Sequence, residues 1–299
     1  FKVSNRGYKI LLFMTAAIWG GGFPITKIAL NYGTSPNAIL AVRFLAASVI
    51  LFAYLCYKKE KITRSEVKLG LFTGVFLSLG FSFQTVGLSY TTASKNAFLT
   101  GTYVVLTPFF AWLFTRKMPK KQIYFSCFLS LLGIFLLSWS GENVSMQFGD
   151  VLSLLCAVFY AIQISYMSAK IGEKNPLHVN FFQMLSAGIL TLIYNIVLEG
   201  GSVSSFPENK VQLFSVGFLV VFNTLLAYSA QTLAQKYVES SLVCLILSTE
   251  ILFGAFISFL FLGEILSFQS LLGGFLMFLS IFLAEFDWKK KSDKESITK

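Results

Sequence analysis

Ionisable side chains are scarce in this chain. They make up 13% of its 299 residues, about half the share found in soluble domains. That leaves too little polar surface to cover a water-exposed globule. Histidine occurs once, as His178, and the four cysteines (Cys56, Cys127, Cys156, Cys244) sit inside apolar runs without CxxC spacing. A single imidazole and scattered thiols exclude a metal centre and a disulfide framework, so the cysteines are expected to pack as buried hydrophobes. His178 is expected to be solvated or hydrogen-bonded. There is no HExxH, no Ser/His/Asp set and no pair of intramembrane carboxylates from which to build an embedded enzyme. No repeated filter or ring of charge marks a channel. Neither a cofactor nor a metal is expected.

Apolar length is what the chain has in abundance: 55% hydrophobic residues, 33 phenylalanines and a mean hydropathy of +0.70. A bilayer core needs about 20 apolar residues as a helix. Ten stretches qualify, near 8–29, 36–57, 67–89, 94–115, 121–139, 150–170, 178–199, 211–233, 239–261 and 268–287, referred to below as spans 1 to 10. The links between them are short and leave no room for a soluble domain. The chain starts at Phe1 rather than Met, so a trimmed initiator stretch is expected; the first apolar run is long and leads directly into others, so a cleavable signal is not.

Lys and Arg give the orientation. With the N-terminus in the cytoplasm, the inner segments hold Lys2, Arg6 and Lys9, the Lys58–Lys68 group, the Arg116–Lys121 group, Lys170, Lys174, Lys236 and the basic tail from Lys289 to Lys299. Only Lys27, Lys95 and Lys210 fall outside, and Arg43 lies within span 2. Both termini are therefore expected in the cytoplasm. The net charge of +10 is read as topology anchoring and contact with membrane lipids rather than nucleic-acid binding.

The two halves share patterns. Span 3 reads Phe81-Ser82-Phe83-Gln84-Thr85 and then Tyr90; span 8 reads Tyr228-Ser229-Ala230-Gln231-Thr232 and then Tyr237. Leu131-Leu132-Gly133 in span 5 matches Leu271-Leu272-Gly273 in span 10. Trp19 in span 1 matches Tyr160 in span 6, and Arg43 in span 2 matches Gln183 in span 7, all at offsets of 140 to 147. The expected fold is an all-α membrane protein of ten transmembrane helices. Residues 1–142 form one five-helix repeat, and 143–299 form a second with a short basic tail. Five is odd, so the second repeat is inserted with opposite topology, as in many secondary transporters, whose substrate site lies near the midplane between the halves.

These residues resemble a known group. Trp19-Gly20-Gly21-Gly22-Phe23-Pro24, Arg43, the run from Tyr90 to Gly101, Ser248-Thr249-Glu250 and Leu262-Gly263-Glu264 are similar to the drug/metabolite transporter superfamily, EamA type, over essentially the whole chain. The resemblance implies a ten-helix carrier. Its members move amino acids, aromatic compounds, nucleotide sugars, vitamins or toxic cations, often outward. Two departures stand out. Glu250 is followed by Ile251 where the family often has proline, which predicts a straighter span 9. Span 4 ends on Thr115-Arg116-Lys117 and so lacks the Gly-Glu pair that closes span 9.

Glu250 is the one acid deep in a span, so it must face the interior, pair or hold a proton. It is the candidate coupling residue; the alternative is a hydrogen-bonded brace for span 9. Arg43, some eight residues into span 2, is a planar fork for a carboxylate or phosphate or else a structural brace. Gln84 and Gln231 either line a wet cavity or glue helices together. Asn96, Thr100 and Tyr103 form an i, i+4, i+7 stripe on span 4. Asn223 and Tyr228 share span 8. Trp19, Tyr160, Gln163, Tyr166 and Gln183 complete the expected cavity lining, against a reading as ordinary packing. Gly20 to Gly22, Pro24 and Pro108 mark close approach and kinks. The function expected is secondary active transport, with alternating access, of a small-molecule substrate, an amino acid or a related or aromatic compound. It would run outward across the cytoplasmic (inner) membrane, with protons as candidate coupling ion, in a monomer or homodimer. Import of a flat vitamin such as riboflavin is the alternative.

Overall fold

The structure, a computed structural model, describes residues 5–91, 93–138, 146–201, 209–262 and 268–285. Thr92, Gly263, Glu264, Lys2 and the basic tail from Lys289 lie outside the described residues, as do the expected ends of spans 5 and 10. The elements in order are α1 (Asn5–Asn31), α2 (Pro36–Lys58), α3 (Arg64–Tyr90), α4 (Ala93–Gly101), α5 (Tyr103–Thr115), α6 (Lys121–Ser138), α7 (Phe148–Lys170), α8 (Pro176–Leu198), α9 (Lys210–Phe218), a π-helical stretch (Leu219–Leu226), α10 (Ala227–Gln235), α11 (Ser240–Leu247), α12 (Glu250–Leu262) and α13 (Phe268–Glu285). No strand occurs among the described residues. Only closed hydrogen bonding within each segment is tolerated in hydrocarbon, and helices supply it. Among the described residues, nine stretches are long and apolar enough to cross a membrane, with a shorter apolar helix at Lys121–Leu137.

Helix ends follow local chemistry. Pro36 and Pro176 open α2 and α8, where their missing N–H groups would be unpaired anyway. Thr63 and Glu66 form a reciprocal capping box at α3, and Asn209 and Gln212 do the same at α9.

Three spans are interrupted. Span 4 breaks at Thr102 between α4 and α5. Pro108 follows six residues later and cannot donate to the Val104 carbonyl; the Cys244 thiol reaches that carbonyl instead, at 3.7 Å. Span 9 breaks between α11 and α12. The expectation of a straighter span 9 is thus not met: without proline, Ser248 and Thr249 donate their hydroxyls to the Leu245 and Ile246 carbonyls at 2.8 and 2.6 Å. Such back-bonding bends helices. Span 8 widens into a π-helix centred on Asn223, a distortion frequent at functional sites. By contrast, α1 runs unbroken through Pro24.

The most extensive packing joins α3 to α7 and α8, α6 to α13, and α2 to α8. At the α6–α13 crossing a Cβ on Gly133 would stand 2.6 Å from the Gly273 carbonyl oxygen, and one on Gly273 would stand 2.6 Å from that of Gly133. Small residues let membrane helices meet backbone to backbone. One apolar core, with Leu12, Ile123, Val238, Val243, Met277 and Ala284, fills the end of the bundle where α1 starts and α13 finishes. A second, with Phe44, Leu77, Met184 and Leu219, packs α2, α3 and α8 against the π-helix. Phe125, Phe128, Phe275 and Phe282 face outward.

Candidate functional site: an aromatic cavity holding Arg43 and Glu250

Between the cores lies a cavity of about 80 Å³, lined from α1, α2, α3, α4, α5, α7, the π-helix, α10, α11 and α12. It extends from mid-bundle toward the end marked by Thr26, Leu88 and Asn96.

Aromatic rings form the walls. The Trp19 and Tyr228 centroids are 5.0 Å apart; Phe81 lies 5.4 Å from Tyr160 and 6.0 Å from Tyr228, and Tyr103 lies 6.4 Å from Tyr160. Such pairs hold one another in offset or edge-on geometry and present flat, partly polar faces. Polar contacts fix them further. The Tyr160 hydroxyl donates to Gln84 Oε1 at 2.9 Å. The Trp19 indole N–H donates to the Asn223 carbonyl at 2.9 Å, and the Asn223 amide returns a bond to the Ile18 carbonyl at 3.1 Å.

Arg43 is buried, at 4% exposure. Its Nε donates to Thr224 Oγ1 at 3.1 Å, and its guanidinium carbon lies 5.1 Å from the Phe81 ring centroid. This anchor leaves the fork end of the guanidinium for another partner. Glu250 is 9% exposed and opens α12 at the break in span 9. A Cβ on Gly20 would meet the Glu250 carbonyl oxygen at 2.6 Å, so α1 rides against this turn only because Gly20 has no side chain. Among the described residues neither Arg43 nor Glu250 makes an ion pair, and both line the same cavity. Asn96 Oδ1, Asn223 Oδ1 and Gln231 Oε1 on its walls are buried acceptors without a protein partner.

Of the residues expected at the site, Trp19, Arg43, Gln84, Asn96, Tyr103, Tyr160, Gln163, Asn223, Tyr228, Gln231 and Glu250 all line this cavity. Three others are placed elsewhere. Thr100 is buried beside it without lining it. Gln183 stands behind Gln163, whose amide donates to it at 2.9 Å, because α8 turns this face toward α3 and α7. Tyr166 packs against Phe72 and Phe114 on a separate groove; it is two turns further along α7 than Tyr160 and leaves the cavity level. Phe81 and Thr224 were missed. Phe81 lies three residues before Gln84, on the same helical face, so periodicity alone could have found it.

His178 is buried, as is Glu66; Nδ1 lies 3.1 Å from Glu66 Oε2 and Nε2 lies 3.3 Å from Glu60 Oε2. This ties the start of α3 to the start of α8. At the opposite end Glu199 accepts from the Asn37 backbone and side chain and from Asn195. Lys95 and Thr91 both bind Asp150 at 2.6 Å.

A helical bundle spanning the membrane around a central polar hollow is the architecture of a small-molecule carrier. The profile of the EamA-like transporter family matches residues 7–139 and again 147–286. The chain belongs to that family, within the drug/metabolite superfamily, and is a membrane transporter. It is similar to an uncharacterized transporter of Archaeoglobus fulgidus, 33% identical over 273 residues, covering 91% of this chain and 83% of that one. A protein of Chlamydia muridarum named as an S-adenosylmethionine/S-adenosylhomocysteine transporter is 25% identical over 268 residues, covering 85% and 84%. The uncharacterized inner membrane transporter YedA of Escherichia coli K12 is 25% identical over 224 residues, covering 73% and 71%. A solved crystal structure superposes with a TM-score of 0.79 at 12% identity, covering 93% of this chain and 97% of that one, and shares the fold. The protein is a multi-pass protein of the inner membrane.

Proposed function

We propose that the protein is a secondary carrier in which two inverted five-helix repeats, residues 1–142 and 143–299, rock around the central cavity. Its substrate is a small zwitterion with a flat or aromatic part, an amino acid or a related compound, moved outward. The observation that carries this reading is the pair Arg43 and Glu250: two buried ionisable side chains, one basic and one acidic, neither ion-paired among the described residues, in one aromatic-walled cavity. A ligand bearing a carboxylate and an ammonium completes both. An ionised carboxylate left alone at this depth is costly, so Glu250 is compensated by a proton or by a cationic group. Competition between the two for one carboxylate is a coupling mechanism: substrate released outside is replaced by a proton, which travels inward.

Repeat symmetry is supported by matched contacts. Ser82 in span 3 donates to Asn37 of span 2, and Ser229 in span 8 accepts from Asn180 of span 7. Trp19 bonds span 8 while its counterpart Tyr160 bonds span 3, and Gly133 faces Gly273. Two packings of such halves are nearly equal in energy, the condition for alternation. With the basic segments inside, the cavity leads to the outer face and the Leu12–Ala284 core closes the inner one.

The chlamydial relative's name favours a narrower reading. S-adenosylmethionine unites an amino-acid end, a sulfonium and a flat base, which would use Arg43, Glu250 and the aromatic walls together. Riboflavin carries no such charge pair and would leave both residues uncompensated. A thermal-shift panel of amino acids, S-adenosylmethionine and riboflavin separates these, because a ligand of the folded state raises its melting point. In proteoliposomes, an inward proton gradient should drive substrate against its gradient. Glu250→Gln should abolish that drive while leaving counterflow exchange measurable; gradient-driven accumulation unchanged in Glu250→Gln contradicts the coupling.

A further inference from the structure

A second hollow lies on the outside of the bundle, between α3, α7 and α8, with a volume of about 850 Å³. Its walls and its mouth differ in chemistry. Along α3 the face Lys68, Leu71, Phe72 and Val75 lines it, and across from it stand Ile189 and Leu190 of α8. Leu71, Phe72, Val75 and Ile189 are exposed. At one end the groove is ringed by Lys68, Lys170 and Lys174. None of the three makes an ion pair among the described residues. The acids nearest on the α3 side are committed elsewhere: Glu66 holds the Asn175 N–H at 2.8 Å and His178, and Glu60 holds the Asn175 side chain at 2.7 Å. Tyr166, one turn before Lys170 on α7, adds a hydroxyl without a hydrogen bond among the described residues, and its ring packs on Phe72 at 4.5 Å.

We infer that this groove is a binding site for one anionic phospholipid, its phosphate held by Lys68, Lys170 and Lys174 and an acyl chain laid along the α3–α8 wall. Charge complementarity selects the occupant. The wall is hydrocarbon, so only a ligand with an apolar tail fills it, and the mouth carries three positive charges that no carboxylate among the described residues neutralises. Basic pockets between helices on the cytoplasmic side bind such head groups. Length agrees: from Ser65 to Val75 the α3 wall of the groove rises about 15 Å, roughly the depth of one leaflet's hydrocarbon. The site also has a consequence. Here α3, from the first half of the chain, meets α7 and α8 from the second, so a lipid seated there touches both halves and favours one relative position over another.

The binding test does not need the transported substrate. The full chain in detergent is incubated with equal amounts of a phosphatidylglycerol and a phosphatidylcholine of the same acyl length, and bound lipid is read by native mass spectrometry. One phosphatidylglycerol should be retained in preference, by about fivefold for each lysine engaged. Lys68→Gln/Lys170→Gln/Lys174→Gln should lose the preference at unchanged helicity and elution volume. Inorganic phosphate at millimolar concentration should not displace the lipid, since it lacks the tail. Should the triple variant prove poorly folded, Tyr166→Phe and Lys170→Gln alone should each reduce the preference in part. Equal retention of the two lipids by the native chain, displacement by phosphate alone, or an unchanged preference in the folded lysine variants overturns the site.

Discussion

In the proposed mechanism two side chains, Arg43 and Glu250, set the chemistry of transport, and neither is paired with an opposite charge among the described residues. Arg43 is fixed by Thr224 and by ring faces, so its guanidinium is oriented before any ligand arrives. Truncating it to alanine removes a charged hydrogen-bond donor worth about 1.5–3 kcal/mol. Ligand affinity in Arg43→Ala should therefore fall roughly ten- to hundredfold, as measured by ligand-induced thermal shift. Arg43→Lys should recover little of it, because a compact ammonium cannot reproduce the fork. At the end of the bundle where α3 finishes and α7 begins, Asp150 accepts from Lys95, Thr91 and the Gln147 N–H. Asp150→Asn should lower the melting point while leaving ligand affinity within a few-fold, since none of these groups lines the cavity.

Charged and amide residues were the legible part of the site, because a polar group in an apolar run must face protein or water. Glu250, Arg43, Gln84, Gln231 and Asn96 follow from that rule alone, and all line the hollow. Phe81 was harder to find because phenylalanine is abundant here and serves both lipid contact and cavity wall. Tyr166 was misplaced for the converse reason: its helix is shared by two hollows at different depths, and residue type does not report depth.

Among elements, the interruptions matter most. Span 9 turns at Ser248-Thr249, which starts α12 at Glu250 and points its side chain inward. Span 8 widens where Asn223 meets Trp19. Neither break carries proline. Ser/Thr back-bonding and a π-register are set by tertiary partners, which is why a reading keyed to proline expected span 9 to be straighter. Continuous spans such as α2 and α7 were legible to within a few residues because their caps are written locally. The α6–α13 crossing yields a direct test. A methyl group at either Gly133 or Gly273 would press on the partner's carbonyl, so Gly133→Ala and Gly273→Ala should each cost about 1–3 kcal/mol. Both act on one crossing: once the helices have parted, the second methyl meets less resistance. The double variant should lose less stability than the sum of the singles in thermal melts, a coupling expected only of sites in contact.

For the whole molecule, the contacts at the two ends join residues 5–138 to residues 146–285, and in the proposed mechanism they are the clasps between two rocking halves. Asn37–Glu199 and Lys95–Asp150 lie at one end; Glu66–His178 and Lys9–Glu285 lie at the other. The cavity leads to the first end and is closed by apolar packing at the second. A carrier must exchange these conditions, with substrate and proton differing in affinity for the two arrangements. The most direct measurement places single cysteines at Thr26 and at Ala234, in a chain whose own four cysteines are replaced, and labels each from either side of sealed vesicles with a membrane-impermeant thiol reagent. The two positions should respond in opposite directions: conditions that protect Thr26→Cys from outside should expose Ala234→Cys from inside. Simultaneous labelling of both from their own sides in every condition, or an Ala234→Cys that never reacts while transport proceeds, would contradict the account.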